Sequence, residues 1–159
     1  MIEPPFPGVP ISIEPYRLTV PAESDAGRVQ AMLRRGAVRE AADGETIESG
    51  KVLVAPGGSH LLLGGRGAAP AVMLLPRNEQ HRTASPSIDF ALTSMASTFK
   101  RGMVAAVLTG MGRDGEAGCA AVRRYGGSVI CQDRETSMIF GMPGAVAAAG
   151  LACETAPID

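Results

Sequence analysis

The sequence is poor in residues that would place it in several specialised classes of protein. It has no tryptophan, 4% aromatic residues, and three cysteines among 159 residues. So few aromatics predict an aliphatic core built from alanine, valine, leucine, isoleucine and methionine. Because the cysteines are odd in number and lack a Cys-x-x-Cys spacing, we expect free thiols in a reducing cytoplasm.

Charge imbalance and long apolar segments are also lacking. The 15 basic and 16 acidic residues give a net charge of −1, which argues against a nucleic-acid partner. The apolar runs are far too short to span a bilayer, and the N-terminus lacks the basic and apolar regions of a signal peptide. We therefore expect a cytoplasmic protein without membrane insertion and, at this length, one domain with one core.

Short apolar runs alternate with helical patterns along the chain, which predicts an α/β fold with a mostly parallel sheet. Residues 1–24, rich in proline, are expected to be a lead-in to a domain at 25–159. The expected helices are one capped by Ser24 or Asp25 and running to about Arg35, 88–99 capped by Ser87, 115–124, and an alanine-rich segment with Pro143 in its first turn. The expected strands are 38–47 entering a turn at Asp43-Gly44, 51–55, 103–109 and 128–132, with a hairpin of 60–63 and 71–75.

The most informative stretch is Val107-Leu-Thr-Gly-Met-Gly-Arg-Asp-Gly115. It follows an apolar run without alternation, Met103–Thr109, which predicts a strand buried on both faces. Its three glycines allow positive φ and close backbone approach, so a tight turn from strand to helix is expected. In an open α/β sheet, ligands bind at such turns, at the carboxyl ends of the strands. Asp114 is the one acid in this turn.

Asp114 fits two roles from its position alone. Its carboxylate can cap the following helix, accepting backbone N–H bonds at the positive end of the helix dipole. It can also orient a histidine general base, as the acid of a hydrolase triad does. One residue can do both, so both roles stay open at this point.

The same turn also matches a dinucleotide-binding pattern. Gly110-x-Gly112-x-x-Gly115 lies between a strand and a helix, and Asp133 follows roughly 20 residues later. Against this interpretation, the motif comes late in the chain, and Asp114 would face the pyrophosphate at the helix N-terminus. His60 follows Pro56-Gly-Gly-Ser59, where site residues gather, and is a candidate base. No His/Cys/Asp cluster has metal-ligand spacing, and no Gly-x-Ser-x-Gly nucleophile motif occurs.

Several motifs together resemble the CheB-type chemoreceptor methylesterase domain. They cover roughly residues 25 to 158 and include the specific pair Thr-Gly-Met-Gly-x-Asp-Gly and Phe-Gly-Met-Pro. In chain order the motifs are Glu40-Ala-Ala-Asp-Gly-Glu45, Val54-Ala-Pro-Gly57 with His60, Pro86-Ser-Ile-Asp89, Val107–Gly115, Gly118, Gln132 and Phe140-Gly-Met-Pro143.

The resemblance implies a doubly wound α/β sheet and a cytoplasmic bacterial signalling hydrolase. The family hydrolyses glutamate methyl esters on the cytoplasmic helices of methyl-accepting chemotaxis receptors, deamidates some receptor glutamines, and uses a Ser-His-Asp triad without metal or cofactor. Asp114 matches the triad aspartate, and the Met111 backbone matches a position credited with holding the oxyanion. His60 matches a recurrent histidine near the cleft, which is not the triad histidine.

Two parts of the family's triad have no counterpart in this sequence. The nucleophilic serine turn, Gly-Ala-Ser-Thr-Gly-Gly, is absent, and the place of the triad histidine reads Ile13-Glu-Pro-Tyr-Arg-Leu18. An aspartate without imidazole and hydroxyl cannot run the triad mechanism. We therefore expect a fragment with the first βα unit missing, a weakly active member that uses His60 as its base, or an inactive member. The alternatives are a non-catalytic receptor-docking module and a dinucleotide-binding domain.

Overall fold

The computed structural model describes residues 38–48, 50–64, 69–77 and 84–158. The expected helix at 24–35 lies outside these residues. The described elements, in chain order, are β1 (Val38–Glu40), β2 (Val52–Val54), β3 (Ser59–Gly64), β4 (Ala71–Pro76), α1 (Ile88–Phe99), a 3-10 turn (Lys100–Gly102), β5 (Val104–Val107), α2 (Glu116–Arg124), β6 (Ser128–Gln132), α3 (Met142–Ala148) and β7 (Glu154–Ala156).

The strands pair mostly in parallel, as the alternation of elements predicted. β1 pairs with β2, and β5, β6 and β7 form a three-stranded parallel sheet in that order. β3 and β4 form the expected antiparallel hairpin, with His60 opposite Leu75. Three helices accompany these strands in the described part of the chain. The expected α/β class is therefore confirmed.

The core is aliphatic, as the shortage of aromatics predicted. Its largest fully buried side chains are Val72, Val107, Val122, Val129, Val146, Pro143, Cys119 and Cys131. All three cysteines are free thiols. Burial raises the pKa of the Cys119 thiol to about 12 and also raises the pKa of Cys131, so both are protonated packing residues at neutral pH. None of the described helices is both long and apolar enough to cross a bilayer.

Strand β5 differs from the prediction of burial on both faces. Ala105 and Val107 are buried, but Ala106 is exposed and Val104 is half-buried. The apolar run therefore has one core face and one open face, which alanine and valine tolerate at little cost. The short strand β7 was not predicted, because a segment of three residues, two of them polar, is too short to show the alternation typical of a strand.

Candidate functional site

The turn between β5 and α2 lies at the carboxyl edge of the three-stranded sheet. We call residues 110–115 the glycine turn. Gly112 and Gly115 have φ of +93° and +98°, a left-handed backbone that other residues seldom adopt, so the motif requires glycine at both places. Residue 115 is the N-cap of α2, and the helix begins at Glu116. This geometry brings Asp114 to the edge where ligands bind in α/β sheets.

The Asp114 carboxylate caps α1, a helix that lies earlier in the chain. Its Oδ2 accepts a hydrogen bond from the Ile88 amide at 2.8 Å, and its Oδ1 accepts bonds from the Asp89 amide at 3.0 Å and the Ser87 hydroxyl at 3.1 Å. The carboxylate therefore satisfies first-turn amides and faces the positive end of the α1 dipole. The expectation that Asp114 caps the helix that follows it was wrong.

The helix that follows Asp114 is capped from α1 in return. Asp89 Oδ1 accepts hydrogen bonds from the Gly115 amide at 2.9 Å and the Gly118 amide at 2.7 Å. Ser87 is the N-cap residue of α1, but its side chain makes no capping bond to that helix and donates to Asp114 instead. The sequence gave no indication of this reciprocal capping, because each carboxylate lies at least 25 residues from the amides that it accepts from.

His60 is buried within β3, at 5% exposure. Its Nδ1 accepts a hydrogen bond from the Ser87 amide at 3.2 Å, which requires Nδ1 without a proton. Its ring packs edge-to-face on Phe90, with centroids 4.8 Å apart. The histidine therefore reaches the backbone at Ser87, whereas the described donors to Asp114 are Ser87 Oγ and the amides of Ile88 and Asp89.

A second network ties the glycine turn to the loop after β6. The buried Gln132 side chain accepts from the Thr109 amide at 2.8 Å and donates to the Thr136 carbonyl at 2.8 Å. The Thr109 hydroxyl exchanges hydrogen bonds with the backbone of Ile139. Gln132, quoted above only as part of a motif, is therefore the side chain that joins the ends of β5 and β6.

The two most specific motifs meet backbone to backbone. Gly110 and Phe140 form a parallel bridge, and the amides of Gly141 and Met142 both donate to the Gly110 carbonyl, at 3.1 and 2.8 Å. A Cβ built on Gly141 would lie 2.6 Å from that carbonyl oxygen and 3.0 Å from the Gly112 nitrogen. The pairing of the motifs thus depends on the absence of a side chain at residue 141.

We predict that Gly141→Ala lowers the free energy of unfolding by about 3 kcal/mol, at the upper end of overpacking costs, since only backbone can move aside. Gly57→Ala is the matched control, because a Cβ there meets nothing within 4 Å and its φ is not positive. Urea denaturation of both variants measures the difference. Equal stability of the two variants would contradict the described contact between the motifs.

Exposed apolar side chains surround these paired segments. Met111 is 83% exposed and Met138 is 90% exposed, and Leu108 and Ile139 are also exposed. Because Thr109 and Gly110 bond to Ile139, the four residues come from two adjoining stretches of backbone. We call Leu108, Met111, Met138 and Ile139 the apolar rim. Clustered exposed apolar groups are typical of interaction sites, and methionine adapts its shape to a partner.

The described residues give little support to a dinucleotide site. The Gly115 and Gly118 amides, which would face a pyrophosphate, already donate to Asp89. The Asp133 carboxylate, the acid of that pattern, accepts hydrogen bonds from the Thr136 amide at 2.8 Å and hydroxyl at 2.7 Å. Within the described ranges no group of three or more His, Cys, Asp or Glu side chains could hold a metal ion.

Comparison with known proteins finds consistent similarity. A family model described as CheB methylesterase matches residues 24–159. A protein-glutamate methylesterase/protein-glutamine glutaminase of the group 2 operon of Rhodospirillum centenum is 43% identical over 119 residues, covering 75% of this chain and 30% of that protein. The corresponding protein 2 of Caulobacter vibrioides is 42% identical over 121 residues, covering 76% and 35%.

A solved structure gives the same result for the fold. The CheB methylesterase catalytic domain of Thermotoga maritima superposes with a TM-score of 0.77 at 34% sequence identity, covering 94% of this chain and 78% of that domain. The chain spans about a third of the length of the two bacterial relatives above.

Proposed function

Because this chain belongs to the CheB methylesterase family, we propose that it acts on the cytoplasmic helices of methyl-accepting chemotaxis receptors. Its relatives are named for protein-glutamate methylesterase and protein-glutamine glutaminase activity, both of which are hydrolyses of a glutamyl side chain. Within that activity, we propose that this polypeptide binds receptor helices and hydrolyses their esters slowly or not at all. The setting is the cytoplasm, with no nucleic-acid partner and no metal or cofactor.

The set of donors around Asp114 carries this proposal. Its three described partners all belong to the start of α1, and none is an imidazole. A triad acid acts by orienting a histidine N–H, and that histidine must in turn reach a nucleophile. Asp114 matches the family's triad acid by resemblance, and here it stabilises the start of α1.

His60 is not the base in this proposal. Its Nδ1 is engaged by the Ser87 amide, and the residue is 5% exposed, so a receptor ester has little access to the ring. The serine between His60 and Asp114 does not replace the family nucleophile either. Ser87 is 4% exposed, and its hydroxyl donates to Asp114 rather than to the histidine. A Ser, a His and an Asp lie together here without the hydrogen-bond order of a triad.

The apolar rim supports the binding part of the proposal. It lies beside the backbone of Met111, which we propose as the oxyanion position by family resemblance. Arg134 lies over the ring of Phe140, the residue after Ile139 of the rim, at 4.5 Å, so a cationic group adjoins this part of the backbone. An amphipathic helix carrying glutamates complements such a surface in both apolarity and charge.

We expect Met111→Ser and Met138→Ser each to weaken binding of a purified receptor cytoplasmic fragment about fivefold or more, because each removes an exposed anchor worth roughly 1 kcal/mol. Met73→Ser on the β3–β4 hairpin is the matched control, since Met73 is also exposed, at 43%. Isothermal titration at low and high salt measures the affinities. Failure of the unaltered chain to bind, or an equal loss with Met73→Ser, argues against docking through the rim.

A further inference from the structure

The N-termini of two helices cap each other, because an acid near the start of each helix accepts hydrogen bonds from the start of the other. One of these acids, Asp89, has no role in the function proposed above. Asp114, just before α2, caps α1, whereas Asp89, in the first turn of α1, caps α2. Both acids are half-buried. These reciprocal hydrogen bonds connect the start of α1 to the last residues of the glycine turn, Asp114 and Gly115.

Helices α1 and α2 pack closely beside these two capping carboxylates. A Cβ built on Gly118 would lie 2.7 Å from Leu92 Cβ and 3.2 Å from Asp89 Cα, so α1 packs directly on the backbone of α2. A Cβ on Gly115 would meet Ile88 Cγ2 at 3.1 Å. With the helices in contact, the Asp89 carboxylate lies within hydrogen-bond distance of the amides of residues 115 and 118.

We propose that Asp89 is the positioning residue of the glycine turn. Its carboxylate oxygen fixes the backbone at residues 115 and 118, and this holds the neighbouring Asp114 carboxylate at the start of α1. Through the same turn it sets where Met111 stands on the apolar rim. Asp89 acts through the turn and touches no substrate.

The two acids differ in what an asparagine can replace. Both bonds to Asp89 end on the single atom Oδ1, so the carbonyl oxygen of Asp89→Asn can accept both. Asp114 uses both oxygens, so Asp114→Asn must lose an acceptor. Asparagine can therefore replace the hydrogen-bonding function of the acid at residue 89 but only part of it at residue 114.

The test is a cycle of Asp89→Ala, Asp114→Ala and the double variant, with Asp89→Asn as the conservative replacement. We expect each single alanine to lower the folding equilibrium constant roughly 10- to 100-fold. Because the two caps support each other, the double variant should stay within about threefold of the worse single one. Asp89→Asn should remain within about fivefold of the unaltered chain, the small loss reflecting the missing charge at the helix end.

Two further readouts separate positioning from stability alone. Amide hydrogen exchange at Gly118 should speed up at least about tenfold in Asp89→Ala and stay slow in Asp89→Asn, since an unbonded amide exchanges from the native state. Binding of the receptor fragment should weaken about fivefold in the alanine variant and recover in the asparagine variant. Only this binding readout rests on the proposed function, so an unaltered chain that fails to bind leaves the exchange measurement as the decisive one.

Independent, multiplying losses in the double variant would overturn the proposal. So would Gly118 exchange that is unchanged in Asp89→Ala, or an asparagine variant as impaired as the alanine variant. If Asp89→Ala does not fold, Asp89→Ser takes its place, because its shorter side chain is tolerated in a first helical turn but places its oxygen out of reach of Gly118.

Discussion

Replacing Asp114 by alanine is expected to lower the free energy of unfolding by about 2–3 kcal/mol, which is large for a single half-buried acid. Within the described residues the carboxylate accepts three hydrogen bonds, and its removal leaves the amides of Ile88 and Asp89 and the hydroxyl of Ser87 without this acceptor. Unpaired polar groups of this kind each carry a desolvation cost. If the only role of Asp114 were to orient a catalytic histidine, its replacement would not lower the free energy of unfolding by this amount.

The controls for this prediction differ in one feature each. Asp114→Asn keeps one carbonyl oxygen and should lose about half as much, since its amide group donates and cannot accept. Glu135→Ala removes the same charge from an exposed loop residue and should stay within about 0.5 kcal/mol of the unaltered chain. Urea denaturation followed by circular dichroism measures all three. A destabilisation by Asp114→Ala no larger than that by Glu135→Ala would contradict the capping role.

Local elements could be predicted from the sequence where periodicity and stop signals agree. The spacing of Ile88, Leu92, Met95 and Phe99 gave the helix that the structure places at Ile88–Phe99. Glycines after β5 and after α2 marked the turns, and Pro143 marked the start of α3. The helix and strand order around the glycine turn was thereby predicted, and with it the position of Asp114 at the sheet edge.

The partners of the site residues could not be predicted, because they are set by tertiary packing. Asp114 lies two positions before the start of α2, yet it caps α1, whose first amides lie 25 and 26 residues away. Which helix end an acid reaches depends on how the two helices cross. That crossing depends in turn on the small size of Gly118. The family resemblance named Asp114 as a triad acid, but it carried no information on these contacts.

The role of His60 shows the same limit. Its place after a Pro-Gly-Gly-Ser turn indicated a site residue, and the structure does bring it close to the Asp114 cap through Ser87. The sequence could not show that the imidazole contacts a backbone amide and packs against Phe90. The sequence predicted His60 as a candidate site residue, whereas the direction of each hydrogen bond could not be predicted.

The largest effect predicted concerns hydrolysis itself. In serine hydrolases, loss of a single triad member lowers kcat by roughly 10⁴- to 10⁶-fold. The sequence contains neither the family's Gly-Ala-Ser-Thr-Gly-Gly serine turn nor a histidine at the place of the triad base. We therefore expect this polypeptide to hydrolyse the ester at least about 10⁴-fold more slowly than family members that carry the triad. Binding of the receptor fragment does not require the triad, so affinity and turnover should separate in this polypeptide.

Methanol release from a methyl-esterified receptor fragment tests this account most directly, when measured beside binding to the same fragment and beside the Thermotoga maritima catalytic domain under the same conditions. We predict binding without methanol release above buffer for this chain, and identical results for His60→Ala. Clear turnover that disappears in His60→Ala would contradict the account and make His60 the base. Turnover that survives in His60→Ala but disappears in Asp114→Asn would equally contradict it, because Asp114 would then be catalytic.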